Sequence, residues 1–382
     1  MNIAFAVVKH IARGGGIEKY TEELGTRLVE RGHQVRVYSM RHYGPVTQEY
    51  RGMEIVTVPS LFLPQGQKIS AGLYSSIHAS LDRWADVIHL QHVCPGAMAW
   101  FTRMCRKPSV IQYHGLEWKR SRWGSFGAAV LKGLERWSVL VNTHFTAVSA
   151  QQCQYFRDTY NINVSYIPTG AEIKPHVDAQ EITALGLHPQ RYILFAARLV
   201  RDKGAHYLIP AFRRLMTDYT LVIAGDTSGN NEYKQELLDL AGDDPRILFP
   251  GYVEGRLLHE LFSNALMYVL PSEIEGLSIA LLEAMSYGLC CLVSDIPENL
   301  EALGGCGFTF QNRNIDDLSR QLQHIMANPQ ATNQYARHAV ARVAEHYSWD
   351  RVTDQFEQLY QEIALPARSR AQAEAARKKV EI

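Results

Sequence analysis

Two glutamates, Glu275 and Glu283, stand eight positions apart in EIEGLSIALLEAM, residues 273–285, across a glycine and then an apolar run. Paired carboxylates are the tools of acid/base work on a glycosidic bond, where they lie about 5–9.5 Å apart. The apolar spacing of GLSIALLEAMSYG predicts a helix that begins near Gly276 to Ser278 and ends at Gly288. Glu275 then falls in the loop before it and Glu283 about two turns inside. Eight residues along a helix axis would span roughly 12 Å, more than a hydrolytic pair needs. The free N–H groups of a helix start attract an anion. The stretch therefore suits one elongated ligand with a phosphate between the targets of the two carboxylates. A structural reading of Glu283, as a paired carboxylate in an otherwise apolar helix, stays open.

Other loops offer complementary groups. In RLVRDKG, residues 198–204, Arg198 and Lys203 straddle a loop that leads into a helix. A planar guanidinium and a point-charge ammonium converging beyond a strand suit a diphosphate; the bland alternative is a solvated surface. RGGGIEKY, 13–20, places Gly15 and Gly16 before a helix, where backbone can approach a ligand closely. It lacks the G-x-G-x-x-G pattern, and the next strand ends without the acidic residue that a dinucleotide ribose requires. His114, in QYHG, stands where a strand gives way to a loop. No D-x-D motif is present, and EIE at 273–275 abuts the helix start already given to phosphate, so no metal site is expected.

The elements that must position these loops alternate along the chain. Strand patterns read at 3–8, 34–40, 86–92, 108–114 and 144–149, and again at 191–197, 219–226, 247–252, 265–272 and 290–295, with helical patterns between them. IPTGAEIKPHVDAQ, near 170–190, loses periodicity and separates the two series. The expected fold class is α/β with two doubly wound domains, which hold ligands beyond the carboxyl ends of their strands.

Bulk composition narrows the classes. The 382 residues suffice for two domains, and a chain 46% hydrophobic and 20% charged is globular. With 39 basic and 39 acidic side chains, bulk charge gives no reason to expect nucleic acid as a partner. Six cysteines without C-x-x-C spacing read as reduced thiols. The apolar run at the N-terminus is too short for a signal peptide and no stretch is long enough to span a bilayer, so a cytoplasmic location is expected. HGLEWKRSRWGSFGAAVLKGLERW, 114–137, interleaves three tryptophans with lysines and arginines. Residues 118–137 therefore suit peripheral contact with an anionic membrane or a lipid-linked acceptor, or else a solvated helix whose tryptophans pack on its own domain.

Taken in order, GGGIEKY, QYHG, IPTGAE, ARLVRDKG, EGLSIALLEAMSYG and SWDRVTDQFEQLYQEI (348–363) resemble the motifs of retaining GT-B glycosyltransferases of family 4, over residues 2 to about 363. Thr169 and Glu172 depart from that family's usual I-P-N-G-V-D linker. HGLEWKRSRW looks closest to members of polysaccharide assembly, including rhamnosyltransferase-like ones. The resemblance implies two Rossmann-like domains facing across a cleft: an acceptor-side domain over 1–170, a nucleotide-sugar domain over 171–347, a helix at 348–363 crossing back to the first, and a polar tail at 364–382. It implies that Arg198 and Lys203 neutralise the donor diphosphate, with backbone at Gly276, Leu277 and Ser278. Glu275 would accept from donor-sugar hydroxyls, Glu283 would hold the ribose, and backbone at Tyr252 and Val253 would meet the base. His114 would lie beside the sugar, and Gly15 and Gly16 would approach the diphosphate. The implied activity is metal-independent, retaining transfer from a UDP- or GDP-linked sugar to a glycan, lipid-linked or small-molecule acceptor. Rival readings are a nucleotide-sugar 2-epimerase, a glycoside hydrolase using Glu275 and Glu283, and a non-catalytic nucleotide-sugar binding protein.

Overall fold

Strands buried on both faces need near-continuous apolar sequence, and IAFAVV, YILFA and MYVL supply it. In the computed structural model, which describes residues 1–11, 15–44, 46–60, 67–120, 123–142, 144–227 and 231–380, such runs build two parallel sheets in two separate units. The first unit takes Met1–Thr169 together with the segment that begins at Trp349; the second takes Gly170–Ser348.

The first sheet contains β1 (Asn2–Val8), β2 (Gln34–Met40), β3 (Glu49–Tyr50), β4 (Met53–Val58), β5 (Val87–Gln91), β6 (Ser109–Tyr113), β7 (Phe145–Ala147) and β8 (Ser165–Tyr166), in the order β3-β4-β2-β1-β5-β6-β7-β8. Only β3, paired with β4, runs antiparallel to its neighbour among the described strands. The chain winds outward from β1 through β2 to β4, then returns to β5 on the other side. The switch point of the sheet therefore lies between β1 and β5. Helices cover both faces, among them α1 (Gly16–Glu30), α2 (Ala99–Met104) and α3 (Ser125–Val141).

The C-terminal helix, Trp349–Val380, belongs to this first unit and does not stop at residue 363. Trp349, Val352, Phe356, Tyr360 and Ile363 join Ile3, Phe5, Tyr20 and Leu24 in one buried cluster. His89 beneath them bonds Tyr360 Oη at 2.6 Å and Gln112 Oε1 at 2.8 Å, and burial lowers its pKa to about 3. The helix runs on through the segment expected as a polar tail because AQAEAARKKV is made of strong helix formers.

The second sheet is β9 (Tyr192–Ala196), β10 (Thr220–Ala224), β11 (Ile247–Gly251), β12 (Met267–Leu270), β13 (Cys290–Ser294) and β14 (Phe308–Phe310), ordered β11-β10-β9-β12-β13-β14. All pairings are parallel. Here the winding reverses between β9 and β12, where Met267 pairs with Ile193 and Tyr268 with Leu194. Helices α4 (Ala205–Arg213), α5 (Gly255–Asn264) and α6 (Ile279–Ser286) follow β9, β11 and β12. The sequence patterns did not mark out the six-residue β4 or the two- and three-residue β3, β8 and β14.

Candidate functional site

The reversal between β9 and β12 brings two loops side by side, and they hold most of the chemistry-bearing residues expected from the sequence. Gly204 closes the first loop with φ +74°, and a Cβ there would lie 1.9 Å from the Pro271 carbonyl oxygen of the second. Only glycine permits both that conformation and that approach. Glu273 N–H donates to Asp202 O at 2.9 Å, fastening the loops together.

Within this junction Lys203 Nζ lies 2.5 Å from Glu275 Oε1, with the side chains 13% and 5% exposed. Ser272 Oγ donates to the same carboxylate oxygen at 2.6 Å. Ser272 is itself held through its carbonyl by Ser294 Oγ, at 2.5 Å, and Asn299 Nδ2 donates to Ser294 Oγ at 3.0 Å. The sequence assigned Lys203 to phosphate and Glu275 to sugar and did not foresee that they pair. Arg198 is exposed at the mouth of the first loop.

Ser278 caps α6, its Oγ accepting from Leu281 N–H at 3.4 Å. The helix starts at Ile279, so Gly276, Leu277 and Ser278 form the approach to it. Glu283 consequently lies just over one turn inside α6, not two, because four of the eight positions are spent in the loop. Both carboxylates act on one buried phenol: burial raises the pKa of Tyr268 well above the ordinary range, and Glu275 and Glu283 push it further. Tyr268 Oη donates to Ala196 O at 3.2 Å, at the end of β9.

Glu273, the other carboxylate of EIE, is fully engaged elsewhere. Tyr207 Oη donates to its Oε1 at 2.7 Å, Arg313 binds its Oε2 at 2.5 Å, and His206 Nε2 is 3.7 Å away. Burial, then the bond to Glu273, pushes Tyr207 up to about 12. Burial lowers the pKa of His206, against the pull of Glu273. The sequence treated Glu273 as a mimic of a metal motif; its partners, 66 and 40 positions away, were not legible there. Among the described residues no group of three or more His, Cys, Asp or Glu gathers as a metal site.

The remaining candidates lie on other loops. Tyr252, exposed, and Val253, half-buried, follow β11, two strands from β9. In the first unit Gly15 is the extended N-cap of α1 and Gly16 its first residue, while Arg13 and Gly14 of the same loop fall outside the described residues. Lys9 N–H donates to Glu18 Oε1 at 3.1 Å, and a Cβ on Gly15 would lie 2.2 Å from Glu18 Oε2. A carboxylate therefore already sits at this helix start, which the sequence reading passed over. His114 follows β6 and meets Tyr20 edge-on, with ring centroids 4.8 Å apart. Beside it, at the end of β5, His92 has φ +92° and its Nε2 lies 3.1 Å from Glu117 Oε2. Arg120 Nε and Trp123 Nε1 donate to the same carboxylate.

The comparisons fit this geometry. Residues 14–174 match the family model described as Glycosyltransferase Family 4, and residues 179–342 that described as Glycosyl transferases group 1. The chain belongs to glycosyltransferase family 4. This glycosyltransferase is 25% identical over 374 residues to an uncharacterized glycosyltransferase of Methanocaldococcus jannaschii, covering 91% of this chain and 94% of the relative. Its fold matches a sucrose-phosphate synthase of Thermosynechococcus elongatus with a TM-score of 0.84 and 18% identity, over 95% and 98% of the chains. It also matches HepE of Anabaena in complex with UDP-glucose, with a TM-score of 0.78 and 17% identity, over 95% and 100%. The glycosyltransferase thus has the GT-B type of fold, two Rossmann-like α/β domains with parallel sheets.

Proposed function

We propose that the chain is a retaining glycosyltransferase that takes a sugar from a UDP- or GDP-linked donor, without a metal, and passes it to a glycan, lipid-linked or small-molecule acceptor. The product belongs to polysaccharide or glycoconjugate biosynthesis. The observation that supports the reading most is the Lys203–Glu275 pair at the β9/β12 reversal, beside the start of α6. A diphosphate arriving there meets Lys203, Arg198 and the first-turn N–H groups of α6, which favour the charge that develops on a departing diphosphate. Lys203 and Ser272 both address Oε1 of Glu275, so Oε2 is the oxygen turned over to a sugar hydroxyl. Glu283, one turn on, takes the ribose hydroxyls, and backbone at Tyr252 and Val253 meets the base. His114, with Gly15 and Gly16, serves the sugar and diphosphate from the first unit.

UDP is the first nucleotide to try, because HepE of Anabaena, similar in fold, binds UDP-glucose. The test is a thermal-shift screen with UDP, GDP, ADP and their sugars, since a ligand of the folded state raises its stability by mass action. Transfer by the best donor is then followed by NMR of the product anomer, with and without EDTA. An inverted anomer, or activity lost to EDTA, contradicts the corresponding part of the proposal. The reading keeps the chain cytoplasmic, with peripheral contact to the inner face of the membrane through residues 118–137.

A further inference from the structure

The tryptophans of residues 118–137 suggested a membrane contact, yet two of the three point into the protein. Trp118 Nε1 donates to the buried Glu135 and Trp123 Nε1 to the buried Glu117, each at 3.3 Å. Trp137 alone is half-exposed, its Nε1 held by Ala97 O at 3.0 Å. The inward face of α3 is formed instead by Leu131, Leu134, Glu135, Ser138 and Val141.

A second apolar stripe flanks that face, about a third of a turn further around the same helix. Phe126, Val130, Trp137 and Leu140, spaced by three, four or seven residues, are 84%, 43%, 47% and 65% exposed. Three- and four-residue steps place side chains on one side of a helix. The neighbouring α2 adds Trp100 and Met104, 39% and 63% exposed. A helix that must only cover its own domain needs one apolar face, and α3 has two.

Charge decides what fits this face. Arg103, Arg106, Lys119, Lys132 and Arg136 are exposed on these two helices and the turn before α3. Over residues 97–107 and 117–142 the acidic residues are Glu117 and Glu135, and both are buried. Within these two segments a chain with no net charge thus carries exposed cations and no exposed anion, beside one apolar stripe. That combination describes a helix lying in the interface of an anionic bilayer, with apolar groups among the acyl chains and cations at the headgroups. A soluble acidic partner would need no such run of large apolar groups, and a second copy would bring the same cations against themselves.

We propose that the stripe Phe126, Val130, Trp137 and Leu140, with Trp100 and Met104, is the surface by which this glycosyltransferase docks on an anionic lipid bilayer. This deepens the reading of residues 118–137 given above: it drops Trp118 and Trp123 and keeps Trp137 within a defined face. The surface lies in the first unit, so the docked protein draws on lipid without using Lys203, Glu275 or Glu283.

The test is co-sedimentation of the full chain with phosphatidylcholine vesicles, with and without phosphatidylglycerol, at low and high salt. Binding should require phosphatidylglycerol and weaken as salt rises. Phe126→Asp with Leu140→Asp, and separately Arg103→Glu with Arg136→Glu, should each reduce it at least about tenfold. Melting temperature and UDP-induced thermal shift should stay unchanged, because the replaced side chains are exposed. Equal binding to both vesicles, or none, by the unaltered chain overturns the proposal whatever the variants do. A dimer in sedimentation velocity that Phe126→Asp dissociates overturns it in favour of a second copy as the occupant. Neither donor nor acceptor enters the assay, so its failure leaves the transferase reading standing, and failure of transfer leaves this one standing.

Discussion

Lys203 and Glu275, 72 residues apart in sequence, form a 2.5 Å ion pair that is nearly closed to solvent. Both charges are largely buried, and removing one partner of such a pair costs about 3–5 kcal/mol in well-buried cases. The Lys203→Ala variant should therefore lose both transfer activity and several degrees of melting temperature. The double variant Lys203→Ala/Glu275→Gln should recover most of the melting temperature and none of the activity. Scanning calorimetry beside a transfer assay reads both. If the double variant melts no higher than the single, the pair is not what holds the loops.

The two glutamates of the opening stretch should separate by what they bind. Glu283→Ala should weaken nucleotide affinity by ~1–3 kcal/mol through lost ribose hydrogen bonds. Glu275→Gln should leave nucleotide affinity nearly unchanged while lowering kcat. Isothermal titration with the free nucleotide and a transfer assay distinguish them, and unchanged affinity in Glu283→Ala would remove that residue from the ribose.

Glu273 touches Tyr207, Arg313 and His206 and lies two residues before Glu275. Its removal should let the Ser272–Gly276 loop move without deleting a ligand contact. Glu273→Gln keeps the bond from Tyr207 and loses the charge facing Arg313. We expect a modest rise in donor KM, severalfold, and a larger one in Glu273→Ala. Steady-state kinetics at varied donor concentration test the order of the two.

Acid should act on the second unit through Glu260. Burial alone would raise its pKa, but N–H groups of Gln180, Ile182 and Glu181 and the Arg256 guanidinium bring it down to about 2. A folded-state value below the unfolded one stabilises fully above the unfolded pKa of about 4.3 and less as pH falls toward 2. Melting temperature should thus drop as pH falls below about 4.5. Glu260→Gln should be less stable than the unaltered chain at neutral pH and show a flatter dependence in the acid range. Thermal melts between pH 7 and 3 provide the comparison.

Much of this was legible in one sequence because the strands are buried on both faces. YILFA and MYVL announced β9 and β12 by continuous apolar composition, and the cap Ser278 lay where the apolar spacing begins. What was not legible depends on the order of strands in space. Nothing in ARLVRDKG shows that β12, and not β10 alone, lies beside β9, so neither the Lys203–Glu275 pair nor the contact of Gly204 with Pro271 could be read. Of the two readings open for Trp118 and Trp123, the structure takes packing on their own domain, and the sequence could not choose for a related reason. An indole beside arginines reads as surface until the carboxylates that accept its N–H, Glu135 and Glu117, are seen to be buried.

The placement of the C-terminal helix has a consequence for how the chain acquires its structure during synthesis. The second unit is contiguous, Gly170–Ser348, and its whole sequence leaves the ribosome before Trp349. The first unit begins earlier yet cannot close its core until Phe356 and Tyr360 arrive, and His89 waits 271 residues for the hydroxyl it bonds. The later half can therefore mature first, while the earlier half remains an open sheet with Phe5 and Tyr20 uncovered. A chain released after Ser348 should offer a protease-resistant second unit joined to a cleavable first one. Chaperones that recognise exposed aromatic surface would accordingly engage the part of this protein made first, and release it last.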